Sequence, residues 1–457
     1  MKTVPEGFLS ECRNLVRLGF PVLVTELGIV VVSFADTMMV SRAGTAELAA
    51  AAFVNNVFLI PFVMLIGFAA GITPIAGAFF SSGRFRRMGM TLRTGMRLNL
   101  FLSAAFTLIM GAGYFAIPYM GQPEEILPLI REYYLIVLIG LIPSAVFNCC
   151  QQISNGAKNT AMPMWIILGA NALNILGNYL LIFGNCGFPR LGLAGAGVST
   201  AAARICAAAA IAAVMMFSRQ FAPVRKGIRL RIDRALRRKV FATSVPTMLQ
   251  SGVECMLWSF GSVVCGWFTA IDLAAYQVTT TMSQIGFMTY MSFGIAVSII
   301  VANRCGVGDI RGAERATGAG IAVNLLLAAL ACAIFVIGGK SLLRLFTPDE
   351  DVILTAHALL LPLVLYQIFD ALQIVYSNAI RGTSRVNPLL WASLISYVAV
   401  GVPAAYILGY SMQLRSVGVY WSFAIAIFTA YICLYLWYRK IVNSLQHELN
   451  PGKVISA

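Results

Sequence analysis

The chain has 457 residues, of which 59% are hydrophobic and 11% are charged, and its formal net charge is +15. Soluble globular domains carry about 25% charged residues, so this composition excludes an ordinary soluble protein and indicates a polytopic membrane protein. The apolar runs are continuous rather than alternating, which excludes a transmembrane β-barrel. Basic cytoplasmic loops explain the positive charge better than nucleic-acid binding does, so no nucleic-acid partner is predicted.

Twelve apolar runs follow one another along the chain, and each is long enough to cross about 30 Å of hydrocarbon as a helix. The connections between them are short, except for the basic segment 219–239. The sequence therefore predicts an all-α membrane protein with twelve transmembrane helices. The runs lie near residues 15–41, 48–80, 91–117, 128–153, 161–184, 191–218, 240–268, 272–303, 315–338, 352–379, 387–410 and 416–438.

The Lys and Arg residues are distributed unevenly between alternate connections. If the N-terminus is cytoplasmic, most of the 33 Lys and Arg residues fall on the cytoplasmic side. Arg204 is the one base assigned to the interior of a run. Because cytoplasmic loops are enriched in Lys and Arg, we predict that both termini are cytoplasmic.

The second half of the chain repeats the first. Phe20-Pro21 matches Val245-Pro246, and Gly83-Arg84-Phe85-Arg86 matches Gly308-Asp309-Ile310-Arg311, both at an offset of 225 residues. A constant offset indicates two homologous halves, which are parallel repeats because six helices separate equivalent positions. The predicted lobes, residues 1–218 and 240–457, are joined by the basic cytoplasmic linker 219–239 and packed around a central cleft, as in a transporter.

Four acidic residues lie deep inside the apolar runs, where a charged side chain costs about 3 kcal/mol on insertion scales. Asp36, Glu254 and Asp370 are the candidates for taking up a proton or a cation. We predict that no base neutralises them, because the helix cores that carry Glu254 and Asp370 contain no Lys or Arg and Asp36 has no base as a neighbour. Glu26 is a secondary candidate that could pair with Arg204 or face an inner vestibule. The alternative for each acid is a structural role, hydrogen-bonded to a neighbouring helix. No catalytic residue is predicted.

Polar and aromatic side chains could complete the sites around these acids. Asn174 and Asn178 share a helical face, and Thr200 lies in the next run. Their oxygens could bind a hard cation or a protonated acid, or the side chains could simply bridge helices. Aromatic faces attract organic cations. The residues assigned to a substrate cavity are Glu26, Tyr276, Gln277, Phe287, Tyr290 and Gln373.

Four motifs together carry a family resemblance: FADTMMVSRAGTAELAA at 34–50, GITPIAGAFFSSGR at 71–84, NxxxNYLLIFGNCGFPRLGLAGAGVST at 174–200 and YQIFDALQIVYSNAIRG at 366–382. With Glu254, they make the chain resemble, over essentially its full length, the multidrug and toxic compound extrusion (MATE) family in its NorM-like bacterial branch. Some relatives have Asp at the position of Asn178. NorM-like relatives often have Asn near the cation site, where this chain has Thr280-Thr281-Met282, so their set of Na⁺ ligands does not carry over unchanged at this position.

The resemblance implies two six-helix lobes with alternating access, exporting cationic amphipathic compounds in exchange for Na⁺ or H⁺. It also implies a monomer in the lipid of the bacterial cytoplasmic (inner) membrane, with no cofactor besides the coupling ion. It assigns a polar site in the first lobe to Asp36, Asn174, Asn178 and Thr200. It assigns a cation site in the second lobe, which could hold Na⁺, to Glu254, Tyr366 and Asp370.

Three other functions remain open at this point. A lipid-linked oligosaccharide flippase of the same superfamily would need Arg or Lys in its cavity to attract pyrophosphate. A membrane enzyme such as a prenyl transferase would need paired acidic Mg²⁺ motifs at a helix end, which we do not find. A channel fits the two repeated lobes and their unequal acids less well than a carrier does.

Overall fold

A computed structural model describes residues 7–230 and 233–449, and these residues form helices and turns with no β-strand. The predicted all-α class and twelve-helix layout are confirmed. We number the long helical segments in chain order: α1 (Phe8–Ser41), α2 (Thr45–Ala70 and Ile72–Ser81), α3 (Phe85–Gly113), α4 (Leu127–Ile139 and Leu141–Gly156), α5 (Ala161–Leu181), α6 (Leu193–Phe217), α7 (Arg234–Gly266), α8 (Ala270–Gly306), α9 (Ile310–Leu343), α10 (Glu350–Ala358 and Leu360–Gly382), α11 (Asn387–Ser411) and α12 (Arg415–Leu449).

Shorter elements connect or interrupt these segments. Helix α11 contains two π-helical stretches, Leu394–Gly401 and Tyr406–Ser411. A seven-residue helix, Ala222–Ile228, lies in the basic linker. The 3₁₀ turns are Tyr114–Tyr119, Glu124–Ile126, Asn185–Gly187 and Arg219–Phe221.

Eleven of the described helical segments are long and apolar enough to cross a membrane. The exception is α7, a helix of 33 residues. Its apolar stretch is diluted by polar residues that include Gln250, Ser251 and Glu254. The chain is therefore a multi-pass membrane protein. Its two termini, which we predict to be cytoplasmic, lie outside the described residues.

The internal repeat is visible in the backbone of equivalent turns. Gly83 and Gly308 both have positive φ, +69° and +78°, a region that favours glycine. In each turn the residue after the glycine donates its N–H to the carbonyl five residues earlier, at 2.8 Å and 3.0 Å. Lys158 and Ser384, 226 residues apart, also share a positive φ, 60° and 63°. The two halves thus begin α3 and α9, and α5 and α11, through the same turns.

The helices divide into two compact units. One contains residues 24–248, and the other contains the described residues up to Leu23 together with those from Leu249 onward. Both α1 and α7 are therefore shared between units: Leu15 packs in a cluster with Ala296, whereas Val240 packs in a cluster with Ile75. The predicted lobes follow chain order and do not include this exchange. We call the two units the 24–248 unit and the C-terminal unit.

Candidate functional site

The 24–248 unit brings Asp36 of α1 together with two amides of α5. Asn178 Nδ2 donates to Asp36 Oδ1. When the Asn174 amide is oriented to satisfy its neighbours, its nitrogen donates to the same oxygen at 2.8 Å, and its oxygen accepts from the Thr200 hydroxyl at 3.0 Å. Amide donors suit an acceptor-only carboxylate. The four residues assigned to the first polar site are thus in one hydrogen-bonded group.

Close approach of α5 and α6 positions this group. A Cβ at Gly177 would lie 2.2 Å from Ser199 Oγ, so only glycine fits there without a shift. The Ser199 hydroxyl donates to the backbone carbonyl of Asn174 at 2.8 Å. Small residues allow such close helix packing in membranes, and here they hold the two asparagines against α6.

Arg204 of α6 lies near the same carboxylate. Its guanidinium lies over the ring of Phe62, 4.2 Å from the centroid, and it interacts electrostatically with Asp36 and Tyr133. The prediction that Asp36 has no base as a neighbour is therefore wrong. The sequence contains a signal for this neighbour: Arg204 lies four residues after Thr200 on α6, so the two side chains share a helical face.

Glu26 is half-buried on α1 within the 24–248 unit. It forms no ion pair with Arg204 among the residues that the structure describes. Its assignment to a substrate cavity stays a prediction.

The C-terminal unit contains the second group of acids. Asp370 of α10 is 2% exposed, and the Tyr366 hydroxyl lies 3.5 Å from its Oδ2, a long hydrogen bond. Glu254 of α7 is half-buried and interacts electrostatically with Asp370 and Tyr366. The three residues of the predicted cation site are therefore close enough to interact electrostatically. All of them offer oxygen atoms, the donors that hard cations prefer.

Arg381 corrects the prediction that α7 and α10 carry no base in their cores. The sequence assigns it to a cytoplasmic connection, but α10 continues to Gly382 and Arg381 is only 6% exposed. Its guanidinium donates to Asn378 Oδ1 at 3.2 Å and Gln250 Oε1 at 3.4 Å. It also interacts electrostatically with Glu254. The C-terminal group therefore has a basic neighbour. Two of its nitrogens donate to amide oxygens, and its Nε has no hydrogen-bond partner among the described residues.

On the adjacent faces of α8 and α10, the structure brings Tyr290, which the sequence assigns to a substrate cavity, together with Gln367, which is not singled out in the sequence. Gln367 and Tyr290 are both 0% exposed, and neither the Gln367 amide nor the Tyr290 hydroxyl has a hydrogen-bond partner among the described residues. A Cβ at Gly286 would lie 2.9 Å from Gln367 Oε1 and 3.2 Å from the Tyr290 oxygen. These polar atoms therefore surround one point. The signal available in sequence was a glutamine three residues before Asp370.

The other side chains assigned to a substrate cavity differ in their surroundings. Tyr276 is buried among apolar residues and its hydroxyl donates to the Trp258 carbonyl at 2.9 Å. Gln277 is exposed and donates to Ser262 at 3.1 Å. Phe287 is half-buried and packs near Tyr290. Gln373 Nε2 donates to the Tyr397 hydroxyl at 2.8 Å, while its buried Oε1 has no described partner.

The MatE family model matches residues 21–180 and 246–407, two segments that begin 225 residues apart. The chain belongs to the MatE family. The two matched segments of this MatE protein coincide with the repeat found in its sequence. Membership of the MATE family, as the motifs indicated, is confirmed.

Curated relatives match this MatE protein over nearly its whole length. The probable multidrug resistance protein NorM of Bradyrhizobium diazoefficiens is 27% identical over 97% of this chain and 96% of the relative. That of Geobacillus kaustophilus is 29% identical over 86% and 87%. The multidrug resistance protein NorM of Aliivibrio fischeri is 26% identical over 98% of this chain and 99% of the relative. These relatives confirm the NorM-like branch that the motifs indicated.

Solved structures share the fold of this MatE protein. The eukaryotic MATE transporter AtDTX14 is 18% identical, with a TM-score of 0.86 over 97% of this chain and 100% of that one. A MOP superfamily transporter from Pyrococcus furiosus is 19% identical, with a TM-score of 0.87 over 95% and 97%. The protein is a transporter of small molecules and not an enzyme.

Proposed function

We propose that this MatE protein is a secondary active multidrug efflux antiporter. It exports cationic amphipathic compounds and takes up Na⁺ or H⁺ in exchange, by alternating access. The names of the NorM relatives support multidrug export. The proposed carriers of the coupling ion are Glu254 and Asp370, with Tyr366 as a neutral oxygen donor.

The observation that carries this proposal is the buried oxygen-rich group of the C-terminal unit. Asp370 is 2% exposed, its hydrogen-bond partner is the neutral Tyr366 hydroxyl, and Glu254 acts on it electrostatically. Two carboxylates in a site of low dielectric repel each other when both are charged. A cation or a proton relieves that repulsion, so the pair is suited to bind one reversibly.

Exchange requires that the coupling ion and the drug favour different states of the protein, because a ligand shifts an equilibrium only by its differential affinity. In the proposed cycle the coupling ion binds Glu254 and Asp370 from outside and favours release of the drug there. The Asp36 group of the 24–248 unit supplies a second acidic site, where Asn174 and Asn178 hold the carboxylate in place. The protein then returns, loaded with another drug molecule, after the ion leaves inside.

The alternative is a lipid-linked oligosaccharide flippase, which needs bases that can receive pyrophosphate. Two bases inside the described helices are engaged by the protein: Arg204 lies over Phe62, and Arg381 donates to Asn378 and Gln250. This engagement favours the antiporter. For the Pyrococcus furiosus transporter, reverse polarity of the binding pocket suggests a different function, so the sign of charge is the property to test.

The proposed setting is the cytoplasmic membrane of a bacterium, with a monomeric protein and cytoplasmic termini. The uneven distribution of Lys and Arg between alternate connections supports this orientation. Fusing a reporter that is active on only one side of the membrane to successive connections tests it. With a reporter that is active only outside the cytoplasm, the fusion after α1 is expected to be active and the fusion after α2 inactive. The reverse pattern would contradict the orientation.

Dye transport in everted membrane vesicles tests the function. Ethidium movement is driven either by a Na⁺ pulse or by a pH jump, so the two coupling ions give separate responses. We expect Asp370→Asn and Glu254→Gln to abolish the response, and Asp351→Asn, an exposed acid, to retain it. Wild-type transport by both site variants at normal protein levels would overturn the proposal, and so would transport of an anionic lipid-linked sugar instead of the dye.

A further inference from the structure

We propose that the surface cavity lined by Arg84, Arg86, Arg87 and Lys226 binds the phosphate-bearing headgroup of an anionic phospholipid. The cavity has a volume of about 540 Å³, and its remaining lining includes Phe85 and Pro223. It lies at the start of α3, against the short linker helix Ala222–Ile228. This inference is independent of the transport mechanism, because none of these residues belongs to the acidic groups.

Two glycines build the cavity by allowing backbone contact between α3 and the linker helix. A Cβ at Gly89 would lie 2.0 Å from the Val224 carbonyl oxygen, and one at Gly227 would lie 2.0 Å from the Arg86 carbonyl oxygen. Arg93 Nη1 also donates to the Leu230 carbonyl at 2.9 Å. The linker helix is therefore fixed on α3, and Lys226 is held beside the three arginines.

The four bases have no acidic partner among the residues that the structure describes. No carboxylate lines the cavity, and no ion pair involves any of the four. Arg87 contacts the Phe79 ring at 6.0 Å from its centroid, which leaves its charge uncompensated. Arg and Lys are the side chains that bind phosphate groups, so the cavity presents the chemistry of an anion site.

The helix that begins after the equivalent turn in the second half, α9, has an acidic N-terminal cap that α3 lacks. The residue equivalent to Arg84 is Asp309, whose side chain accepts from the Gly312 N–H at 2.8 Å and from Arg304 at 3.1 Å. Asp309 thus caps α9 with a negative charge, whereas Arg84 gives α3 no side-chain cap. A base at the positive end of a helix is unfavourable. An external anion in the cavity would supply the negative charge that Asp309 supplies in α9.

The depth of the cavity favours a lipid over free phosphate. The apolar run of α3 begins near residue 91, so Arg84 lies about 10 Å outside it at 1.5 Å per residue, which corresponds to the headgroup layer. Phe85, 36% exposed, packs edge-on against Phe80 and gives the cavity an apolar wall. Basic pockets at this level of membrane proteins bind anionic headgroups.

Native mass spectrometry of the full-length protein, titrated with phosphatidylglycerol or phosphatidylcholine, tests the proposal. We expect wild type to bind phosphatidylglycerol preferentially and the triple variant R84Q/R86Q/K226Q to bind it at least tenfold more weakly. The matched control R234Q/R237Q/R238Q removes the same charge from positions of the basic segment 219–239 that do not line the cavity, and is expected to bind within twofold of wild type. Equal loss in both variants, or no loss in the first, would overturn the site.

A second variant separates lost binding from lost folding. Arg84→Asp introduces the cap found in the other half, so we expect the melting temperature to stay the same or rise while phosphatidylglycerol binding falls at least tenfold. Retained binding in this variant would contradict the proposal. Inorganic phosphate is the competing probe: it is expected to displace the lipid only weakly, and displacement at equal affinity would overturn the lipid assignment in favour of free phosphate.

Discussion

Asn178 of α5 donates a side-chain hydrogen bond to the carboxylate of Asp36 on α1, and so joins two helices that are far apart in the sequence. Asn174 donates to the same oxygen from one turn away. Two amides therefore donate to one carboxylate oxygen of Asp36. The contribution of each amide can be measured by replacing one asparagine at a time.

Replacing Asn178 by leucine removes one of these donors at similar volume. A carboxylate that loses a buried hydrogen bond loses about 1–3 kcal/mol of stabilisation. We expect Asn178→Leu to reduce dye efflux by roughly tenfold at unchanged protein level, since about 1.4 kcal/mol is a factor of ten. The control is Asn185→Leu, whose amide contacts the Tyr179 carbonyl in the turn after α5. Normal efflux by the Asn178 variant would show that this hydrogen bond is dispensable.

Two glycines of α5 make a matched pair for the packing of α5 on α6. A Cβ at Gly177 would lie 2.2 Å from Ser199 Oγ, whereas nothing lies within 4 Å of one at Gly169. Overpacking costs about 1–3 kcal/mol, while alanine at an open helix position stabilises by about 0.5–1 kcal/mol. In thermal unfolding of purified protein we expect Gly177→Ala to lower the melting temperature and Gly169→Ala to raise it slightly. Equal melting temperatures of the two variants would contradict tight packing of α5 on α6 at Gly177.

The polar atoms around Gly286 give a prediction for ion binding. A Cβ there would lie 2.9 Å from Gln367 Oε1, so alanine displaces the end of that side chain, which lies three residues before Asp370 on α10. We expect Gly286→Ala to raise the Na⁺ or H⁺ concentration for half-maximal efflux severalfold, with the protein still folded. Gly318→Ala on α9, with nothing within 4 Å, is expected to leave it unchanged. The same half-maximal concentration in both variants would exclude Gln367 from ion binding.

Two ion pairs of the C-terminal unit predict different costs for the same chemical change. Glu11, 1% exposed, pairs with Arg304 at 2.6 Å, whereas Glu350, 59% exposed, pairs with Arg344 at 2.8 Å. Breaking a buried pair costs about 3–5 kcal/mol, and an exposed pair contributes about 0–1 kcal/mol. Glu11→Gln is therefore expected to lower the melting temperature clearly and Glu350→Gln hardly at all. Similar melting temperatures would contradict a structural role for Glu11.

Helix number and order could be predicted from the sequence because membrane helices need long apolar runs. Every predicted run overlaps an observed helix, including α7, whose polar residues bring it below the apolar level of the others. The repeat could be predicted because equivalent turns need the same residue, as Gly83 and Gly308 show through their positive φ. These features depend on local sequence alone.

The residues that share a site with Asp36 and with Asp370 are assigned from the sequence, and the structure brings them together. Other neighbours of the acids could not be predicted, because they depend on which helix faces meet. Arg381 is assigned to a connection by the sequence, which does not show that α10 continues to Gly382 and buries the guanidinium. The group formed by Gly286, Tyr290 and Gln367 depends on the contact between α8 and α10. The division of α1 and α7 between the two units also depends on tertiary packing and cannot be read from chain order.

The most direct test of the central claim measures both fluxes on purified protein in liposomes. Ethidium is applied on one side, and the movement of Na⁺ and of H⁺ is recorded at the same time. Coupled exchange predicts that ethidium moves with an opposite flow of one of these ions, and that Asp370→Asn stops both. Ethidium movement at the same rate without any counterflow, or an unchanged pair of fluxes in Asp370→Asn, would contradict the claim that buried carboxylates couple export to a cation.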